Sequence, residues 1–366
     1  MITLIERDFA SFFAAPFAAY GMDSHYVSPM KADLARFLSP QNPLFASTDD
    51  YTYFTALRDG KPVGRITAHL HRASLQIHAA TTGYFGFFDC ANDAEAASAL
   101  LTAAQDWARA KGMTRLIGNF NLTAMQQIGV VTDGFDHPPY TDQIWGPAHL
   151  PDLLLANGYA RTFPMTTFEM QLGPNTKALR DDARADLLAQ GFSFAPINRR
   201  TIHTRLEEAR TILNTSFQEN PMFVPVSAAE FSFQAKDMKW IMDVRISKVV
   251  HFEGQAVGAV IAIPDLNPLL KRLNSRMGLS LPWHFMRYRA QRNRAIVIFQ
   301  GVLPAFQRRS VNPLMLNEMI TDMHAAGYKS VGGTWIADEN VASLRQTEKS
   351  GAEPLHRLHL FEKELT

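Results

Sequence analysis

Apolar residues recur along the chain in two patterns, and each pattern occurs once in each half. Apolar runs typical of buried strands occupy residues 84–88 and 295–303, and each leads into a segment with apolar residues three or four positions apart. This spacing predicts an amphipathic helix after each strand. The predicted buried faces are Ala97, Leu100, Leu101, Ala104 and Ala108 in the first half, and Leu316, Met319, Ile320 and Met323 in the second.

Glycine signals repeat at nearly one offset. A Val-Gly pair ending at Gly64 recurs at Gly258, 194 positions later, and the glycine that ends a short helical segment at Gly158 recurs at Gly351, 193 positions later. Repetition of a strand–helix order at a fixed offset indicates duplicated structural units. The sequence therefore predicts two copies of one α/β unit built on a mixed sheet.

The junction between the copies is expected at the turn of residues 173–175, which reads Gly-Pro-Asn. We therefore predict a first domain over 1–173 and a second over 174–366. The copies differ by two insertions: a loop at about 119–145 and a basic segment at 264–294.

Composition narrows the class of protein. The 366 residues are 46% apolar and include one cysteine, Cys90, which excludes an internal disulfide framework and a cysteine-based zinc site. No apolar run approaches the length of a membrane span, and charged residues appear within the first eight positions, unlike a signal peptide. We expect a cytoplasmic protein, with peripheral attachment at the inner face of the membrane left open.

Positive charge is concentrated in one region. Residues 266–317 contain no Asp or Glu and nine basic residues, although the whole chain carries only +1. Concentrated charge attracts anions to one place. The balanced total makes nucleic acid an unexpected partner. The nine are Lys271, Arg272, Arg276, Arg287, Arg289, Arg292, Arg294, Arg308 and Arg309.

The end of this region has the order of a phosphate-binding loop. The strand at 295–303 leads through residues 304–312 into a helix, for which Asn312 is the predicted N-cap and Pro313 the first helical residue. A helix N-terminus offers free backbone N–H groups and the positive end of the helix dipole. We expect a pyrophosphate to bind here.

Basic residues in the segment 266–294 alternate with Leu, Met, Trp, Phe and Tyr. This mixture suits the headgroup region of an anionic membrane. A packed insertion with a solvated basic face explains it equally well. The paired histidines of the chain, His69 with His71 and His356 with His359, lack a third ligand in the sequence pattern, so we predict no metal site.

These elements together resemble the GNAT superfamily of acyl-CoA N-acyltransferases, and the tandem arrangement resembles its bacterial ceramide synthase-like branch over nearly the whole chain. The segments that carry the resemblance are Asn-Pro-Leu-Phe at 42–45, Gly-Tyr-Phe-Gly-Phe-Phe-Asp-Cys at 83–90, Asp-Gly-Phe-Asp-His-Pro-Pro at 133–139, Asn-Pro-Met-Phe-Val-Pro at 220–225, Pro-Asp-Leu-Asn at 264–267 and Trp-Ile-Ala-Asp-Glu-Asn at 335–340.

The resemblance implies transfer of an acyl group from an acyl-CoA co-substrate to an amine, which in the best-understood branch is a sphingoid long-chain base. It also implies that the second domain binds the carrier, whereas the first, which has no such loop, shapes the acceptor site. The expected acyl-CoA-binding residues are Val302, Leu303, Gln307, Arg308, Arg309, Ser310, Val311, Asn312 and Asn340.

Two departures from the family pattern stand out. Ser310 and Asn312 occupy positions where the superfamily has glycine, which allows unusual backbone angles and close phosphate approach. In the first half, residues 125–127 (Met-Gln-Gln) replace the polar and acidic residues of relatives.

Amide formation requires a base for the amine proton. Asp338 and Glu339 end the strand expected to face the carrier and are the nearest carboxylates, so one of them is the hypothesised catalytic base. A surface or structural role for both is the alternative. The tyrosine acid frequent in the family is missing from the following helix.

Two other functions remain open from the sequence. The basic segment would suit a tandem transferase that uses aminoacyl-tRNA. Alternatively, the chain is a non-catalytic, membrane-associated protein whose carrier loop has decayed.

Overall fold

The structure is a computed structural model that describes residues 1–77, 81–122, 127–218, 223–236 and 241–365. Its strands are β1 (Ile2–Glu6), β2 (Tyr51–Arg58), β3 (Lys61–His69), β4 (Thr82–Cys90), β5 (Arg115–Gly118), β6 (Val130–Asp133), β7 (Ala160–Gln171), β8 (Phe192–Phe194), β9 (Lys248–Phe252), β10 (Gln255–Pro264), β11 (Arg294–Val302), β12 (Ser330–Ala337) and β13 (Glu353–Glu364). The described helices are α1 (Phe9–Tyr20), α2 (Lys31–Phe37), α3 (Arg72–Ile77), α4 (Ala94–Ala110), α5 (His149–Ala156), α6 (Asp181–Ala189), α7 (Ile202–Ser216), α8 (Ala228–Gln234), α9 (Asn267–Arg272), α10 (Leu281–Gln291), α11 (Val311–Ala325) and α12 (Val341–Lys349).

Both halves contribute to one mixed sheet. Its order is β1-β2-β3-β4-β5-β13-β7-β12-β11-β10-β9-β8, with β6 beside β13. The pairs β4–β5 and β11–β12 are parallel, and the other pairs between described strands are antiparallel. The prediction of two tandem α/β units on a mixed sheet is confirmed.

The closing strands of the two halves change places. The last strand of the first half, β7, pairs with β12, whereas the last strand of the chain, β13, pairs with β5 and β6. β7 and β13 also pair with each other, over residues 160–169 and 353–362. Each half thus includes the closing strand of the other in its part of the sheet. The predicted domain boundary at 173/174 therefore remains a proposal.

The predicted helix faces form the core of each half. Ala97, Leu100, Leu101, Ala104 and Ala108 of α4 are all fully buried. In α11, Met319, Ile320 and Met323 are buried and Leu316 is partly buried against the same cluster. Burial of these apolar faces against the sheet is the main stabilising contribution.

Each half contains one fork where two parallel strands separate. β4 and β5 pair only at residues 82–84 and 115–117, and β11 and β12 only at 294–297 and 330–333. Beyond these residues the strands diverge. A register shift between β10 and β11 makes Ile298 the extra residue of a β-bulge, so β11 bends where its fork opens.

Candidate active site

The chain itself fills the fork of the first half. Residues 119–121 follow β5 and cross beside β4. The Phe120 N–H donates to the Phe85 carbonyl at 2.8 Å, and the Phe87 N–H donates to Asn121 Oδ1 at 2.7 Å. The Phe85 carbonyl and the Phe87 N–H of β4 are therefore already hydrogen-bonded within the chain and are not free for a ligand.

Two glycines make this close approach feasible. A Cβ on Gly86 would lie 1.7 Å from the Phe120 carbonyl oxygen, and a Cβ on Gly118 would lie 2.5 Å from the Phe85 carbonyl oxygen. Only a residue without a side chain fits at such distances. All nine residues of β4 are buried as a result.

The fork of the second half is open by comparison. Residues 297–301 of β11 are partly exposed. At the end of the strand, the Val302 carbonyl accepts from Ser216 Oγ at 3.1 Å and the Leu303 N–H donates to the Val257 carbonyl at 2.9 Å. Carrier binding by Val302 and Leu303 therefore remains a proposal. The partly exposed residues of the strand, 297–301, lie just before them.

The loop between β11 and α11, residues 303–310, was predicted to bind the carrier and is called the carrier loop. It contains two residues in the left-handed backbone region. After a short turn of 3₁₀-helix (Pro304–Phe306), Arg308 has φ 64° and Ser310 has φ 57°. This conformation favours glycine and costs a side-chain-bearing residue about 1 kcal/mol. The position where the superfamily has glycine, Ser310, thus has the backbone angle that glycine would favour.

The helix after the loop begins earlier than the sequence predicts. α11 starts at Val311 with Ser310 at the N-cap, so the assignment of Asn312 as N-cap and Pro313 as first residue was wrong. The reason is that the Asn312 side chain is used elsewhere. It accepts from Gln300 Nε2 of β11 and donates to Gln346 Oε1 of α12 at 2.6 Å.

This amide network was missed by the sequence analysis. Gln300, Asn312 and Gln346 link β11 to the first turns of α11 and to α12. The available signal was a glutamine within an otherwise apolar strand. At the start of α12, Asn340 caps the helix, since its side chain accepts from the Ser343 N–H at 3.1 Å.

The two arginines of the loop have different surroundings. The Arg309 guanidinium lies over three rings, 5.2 Å from the centroid of Phe192, 4.9 Å from Phe252 and 5.3 Å from Phe306. The Arg308 side chain is exposed, as is Gln307 beside it. Cation–π packing fixes Arg309 in place, whereas Arg308 can reach an anion in solvent.

The hypothesised bases lie apart from the other groups. Asp338 accepts from Arg357 at 2.6 Å, and the hydrogen bond from this guanidinium lowers the pKa of the Asp338 carboxyl. Glu339 is exposed. Neither belongs to the described lining of the cavity beside the fork. An ion-paired carboxylate with a lowered pKa is a weaker base, but the role of both residues stays a hypothesis.

A cavity of about 610 Å³ lies between the two halves. Ile298 and Phe299 of β11 form part of its wall, so it reaches the bulge at the open fork. Its walls are mainly apolar side chains from both halves. Pockets of this size and character commonly hold organic ligands.

One wall of the cavity carries a line of polar side chains. Asn119 Nδ2 donates to Asn121 Oδ1 at 3.0 Å, Asn121 Nδ2 to Gln127 Oε1 at 3.2 Å, and Gln127 Nε2 to Asp142 Oδ1 at 3.3 Å. All four line the cavity. Of the departure noted at 125–127, only Gln127 can be placed, because Met125 and Gln126 lie outside the described residues, as do positions 220–222 of the fourth resemblance segment.

The basic insertion has two different faces. Leu281 and Phe285 pack inward with α9 and line the cavity. On the outer side, Leu279, Trp283 and Met286 are exposed, the latter two at 63% of their surface. One side of the insertion therefore lines the cavity, and the other side presents apolar side chains to solvent.

Within the described part of the chain, no group of three His, Cys, Asp or Glu side chains is arranged to hold a metal ion. His71 instead lies 3.8 Å from Glu230, and His356 shares a hydrogen bond with Thr167. None of the helices that can be described is long and apolar enough to cross a bilayer.

Comparisons with known proteins agree with this architecture. No protein-family model matches the chain. It is 26% identical over 380 residues to protein YghO of Escherichia coli, covering 99% of this chain and 94% of that protein. It is 25% identical over 362 residues to the bacterial ceramide synthase of Caulobacter vibrioides, covering 97% and 94%.

Among solved structures, a tandem GNAT protein from the clavulanic acid biosynthesis pathway superposes with a TM-score of 0.59 at 13% identity, covering all of this chain and 99% of that one. A likeness at this identity shows the fold. Together the comparisons support an acyltransferase. The chain has the tandem GNAT fold and resembles the bacterial ceramide synthase-like branch of that superfamily.

Proposed function

We propose that the protein is an N-acyltransferase that takes an acyl group from a CoA thioester and transfers it to an amine with a long alkyl chain. The observation that carries this proposal is the asymmetry of the two forks. The first is closed by residues 119–121, whereas the second is partly exposed at 297–301 and meets the cavity at Ile298.

The carrier is assigned to the second half. Its pyrophosphate would be held by Arg308 and by backbone N–H groups at the start of α11, where the helix dipole favours negative charge. The left-handed conformation of Ser310 supports this assignment, because it turns the chain sharply at the helix start. The bound thioester supplies the electrophilic carbonyl carbon.

The acceptor is assigned to the cavity. Apolar walls suit an alkyl chain, since burying each methylene contributes about 0.8 kcal/mol. The polar line on the first-half wall supplies hydrogen-bonding groups for a head group. The resemblance makes a sphingoid base the more specific candidate.

For the base that the reaction requires, Asp338 and Glu339 remain the candidates from the sequence. Alanine at both positions tests them. A large loss of turnover with unchanged substrate binding would support a role in proton transfer, and unchanged turnover would remove both from the mechanism.

We also propose that the basic segment 266–294 binds an anionic membrane surface at the inner face, where a long-chain amine would reside. The exposed Trp283 and Met286 support this proposal, together with Arg287 and Arg289 on the same helix. Sedimentation with phosphatidylglycerol vesicles should exceed that with phosphatidylcholine vesicles, and Arg287→Glu with Arg289→Glu should abolish the difference. Equal sedimentation with both lipids would contradict it.

Thermal stabilisation by CoA, acetyl-CoA and palmitoyl-CoA tests the proposed function. A ligand at about 100 times its dissociation constant adds roughly 2.7 kcal/mol to stability. Arg308→Ala should reduce the shift for all three, and Arg289→Ala, which removes an equal charge from the insertion, should not. No shift with any thioester would contradict the enzyme assignment and favour a non-catalytic, membrane-associated protein; salt-dependent tRNA affinity would favour the aminoacyl-tRNA alternative.

A further inference from the structure

Asp142 differs from the other carboxylates that line the cavity. Asp89 is paired with Arg65 at 2.8 Å, and Asp33 with Arg36 at 3.2 Å. Asp142 makes no ion pair with any Lys, Arg or His in the part of the chain that the structure describes. The cavity therefore contains one acidic group whose charge the described side chains do not balance.

The neighbours of Asp142 hold it at the base of the open fork. Thr141 donates to Asp265 Oδ1 through both its N–H and its hydroxyl, each at 3.0 Å. Gln143 Nε2 donates to the Gly333 carbonyl at 2.8 Å, and Gly333 is the last residue of β12 paired with β11. A loop of the first half, residues 141–143, is thus anchored beside the point where β11 and β12 separate.

The backbone at Asp142 is strained in a way that these anchors maintain. Its φ is 64°, in the left-handed region. Such conformations cost of order 1 kcal/mol and persist where surrounding contacts fix them, often at functional sites. Removal from bulk water raises the pKa of the Asp142 carboxyl, and the hydrogen bond from Gln127 only partly opposes this. A cation bound beside it would relieve the desolvation cost.

We infer that Asp142, which lines the cavity, binds the ammonium group of the acceptor and accepts the proton that the amine must lose, in place of the sequence candidates Asp338 and Glu339. This inference rests on the proposed function and identifies the residue that selects an amine over a neutral head group. The alkyl chain would lie against the apolar wall formed by Leu269, Leu273 and Phe285.

The ammonium passes one proton to the Asp142 carboxylate and becomes a neutral amine. Its nitrogen lone pair forms the C–N bond to the thioester carbonyl carbon while the C–S bond breaks, and a second nitrogen proton ends on the leaving sulfur. The products are an amide and free CoA thiol, and the protonated Asp142 returns its proton to solvent.

Octylamine and 1-octanol provide matched probes, because they share a tail and differ in charge. Binding of each is measured by isothermal titration calorimetry to the full chain, its Asp142→Asn variant and the control Asp186→Asn, which removes an exposed carboxylate of α6 outside the cavity lining. Asparagine is well tolerated at positive φ, so the variant should fold. Asp142→Gly provides a second variant that suits the same backbone angle.

Octylamine should bind at least tenfold more weakly to both Asp142 variants, with octanol unchanged and Asp186→Asn like the parent. Equal weakening of both probes, or unchanged octylamine binding in both variants, would overturn the inference. Amine binding is measured without any thioester, so failure of this test and failure of CoA binding are distinguishable.

Discussion

The two forks of this protein start from the same arrangement and end differently. In the first half, β4 is buried along its whole length because residues 119–121 cross beside it. In the second half, residues 297–301 of β11 remain partly exposed, and β12 continues beside β7 after a register shift. The two α/β units thus differ in how far the strand at the fork is exposed, and the proposed function assigns the carrier to the open one.

The closed fork still contributes to the proposed site. The side chains of Asn119 and Asn121 that seal it also begin the polar line on the cavity wall, which ends at Asp142. The same residues thus close the fork of the first half and form part of the cavity wall to which the proposed function assigns the acceptor.

A side chain added at the closed fork should destabilise the protein far more than one added at the open fork. Gly86→Ala would place a Cβ 1.7 Å from the Phe120 carbonyl oxygen, so we expect the free energy of unfolding to fall by about 3 kcal/mol or more. Gly301→Ala in the open fork is the matched control. Its Cβ would meet side-chain atoms of Phe299 and Ser216 at 3.0–3.1 Å, and these can shift. Equal losses in urea denaturation would show that the forks are equally tight.

Substitutions in the carrier loop test whether the second half binds CoA. Arg308→Ala removes an exposed cation from the carrier loop, and loss of a hydrogen bond to a charged group costs about 1.5–3 kcal/mol. The dissociation constant for CoA should therefore rise at least tenfold, as measured by calorimetry. Arg309→Ala should instead lower thermal stability, because Arg309 packs on three aromatic rings. Unchanged CoA affinity in Arg308→Ala would rule out this loop position.

A change of the loop backbone at Ser310 should have a smaller effect on the free energy of unfolding, and this effect should be stabilising. Ser310→Gly relieves a left-handed residue, worth about 1 kcal/mol, against an entropic cost of about 0.5 kcal/mol for glycine in the unfolded chain. We expect a net stabilisation of about 0.5 kcal/mol with CoA binding retained. The reverse change at a helix end, Gly327→Ser at φ 84°, should destabilise by about 1 kcal/mol. A loss of stability in Ser310→Gly would mean that the serine side chain holds the loop.

The smallest expected effect concerns the Asp338–Arg357 pair. The guanidinium lowers the pKa of Asp338, so the pair stabilises the fold above the ordinary aspartate pKa of 3.8 and this contribution is lost as the pH falls through the lower, folded-state pKa. Both side chains are more than a third exposed, so solvent screening limits the contribution to about 0.5 kcal/mol. Asp338→Asn should lose this amount at pH 7 and nothing at strongly acid pH. A loss that persists in acid would point to packing instead of charge.

The sequence was a good guide to the repeated elements. The buried faces of α4 and α11 follow from helical periodicity, which is a local property of the sequence. The exchange of β7 and β13 was not predicted, because both strands have the same apolar pattern and either sheet could bury them.

The candidate site was also predicted only in part from the sequence. The loop at 307–312 was found because its residues are contiguous, although Asn312 was misplaced when its amide proved to bond across to Gln300 and Gln346. Asp142 was not identified, since its position at the fork depends on contacts with Asp265 and Gly333, more than 120 residues away in the chain.

Hydrogen exchange of the full chain with and without CoA tests the central asymmetry most directly. Amide protection should increase over residues 297–312 of the second half and stay unchanged over 82–90 of the first. Protection at β4, or none near β11 under conditions where CoA binds, would contradict the assignment of the carrier to the open fork.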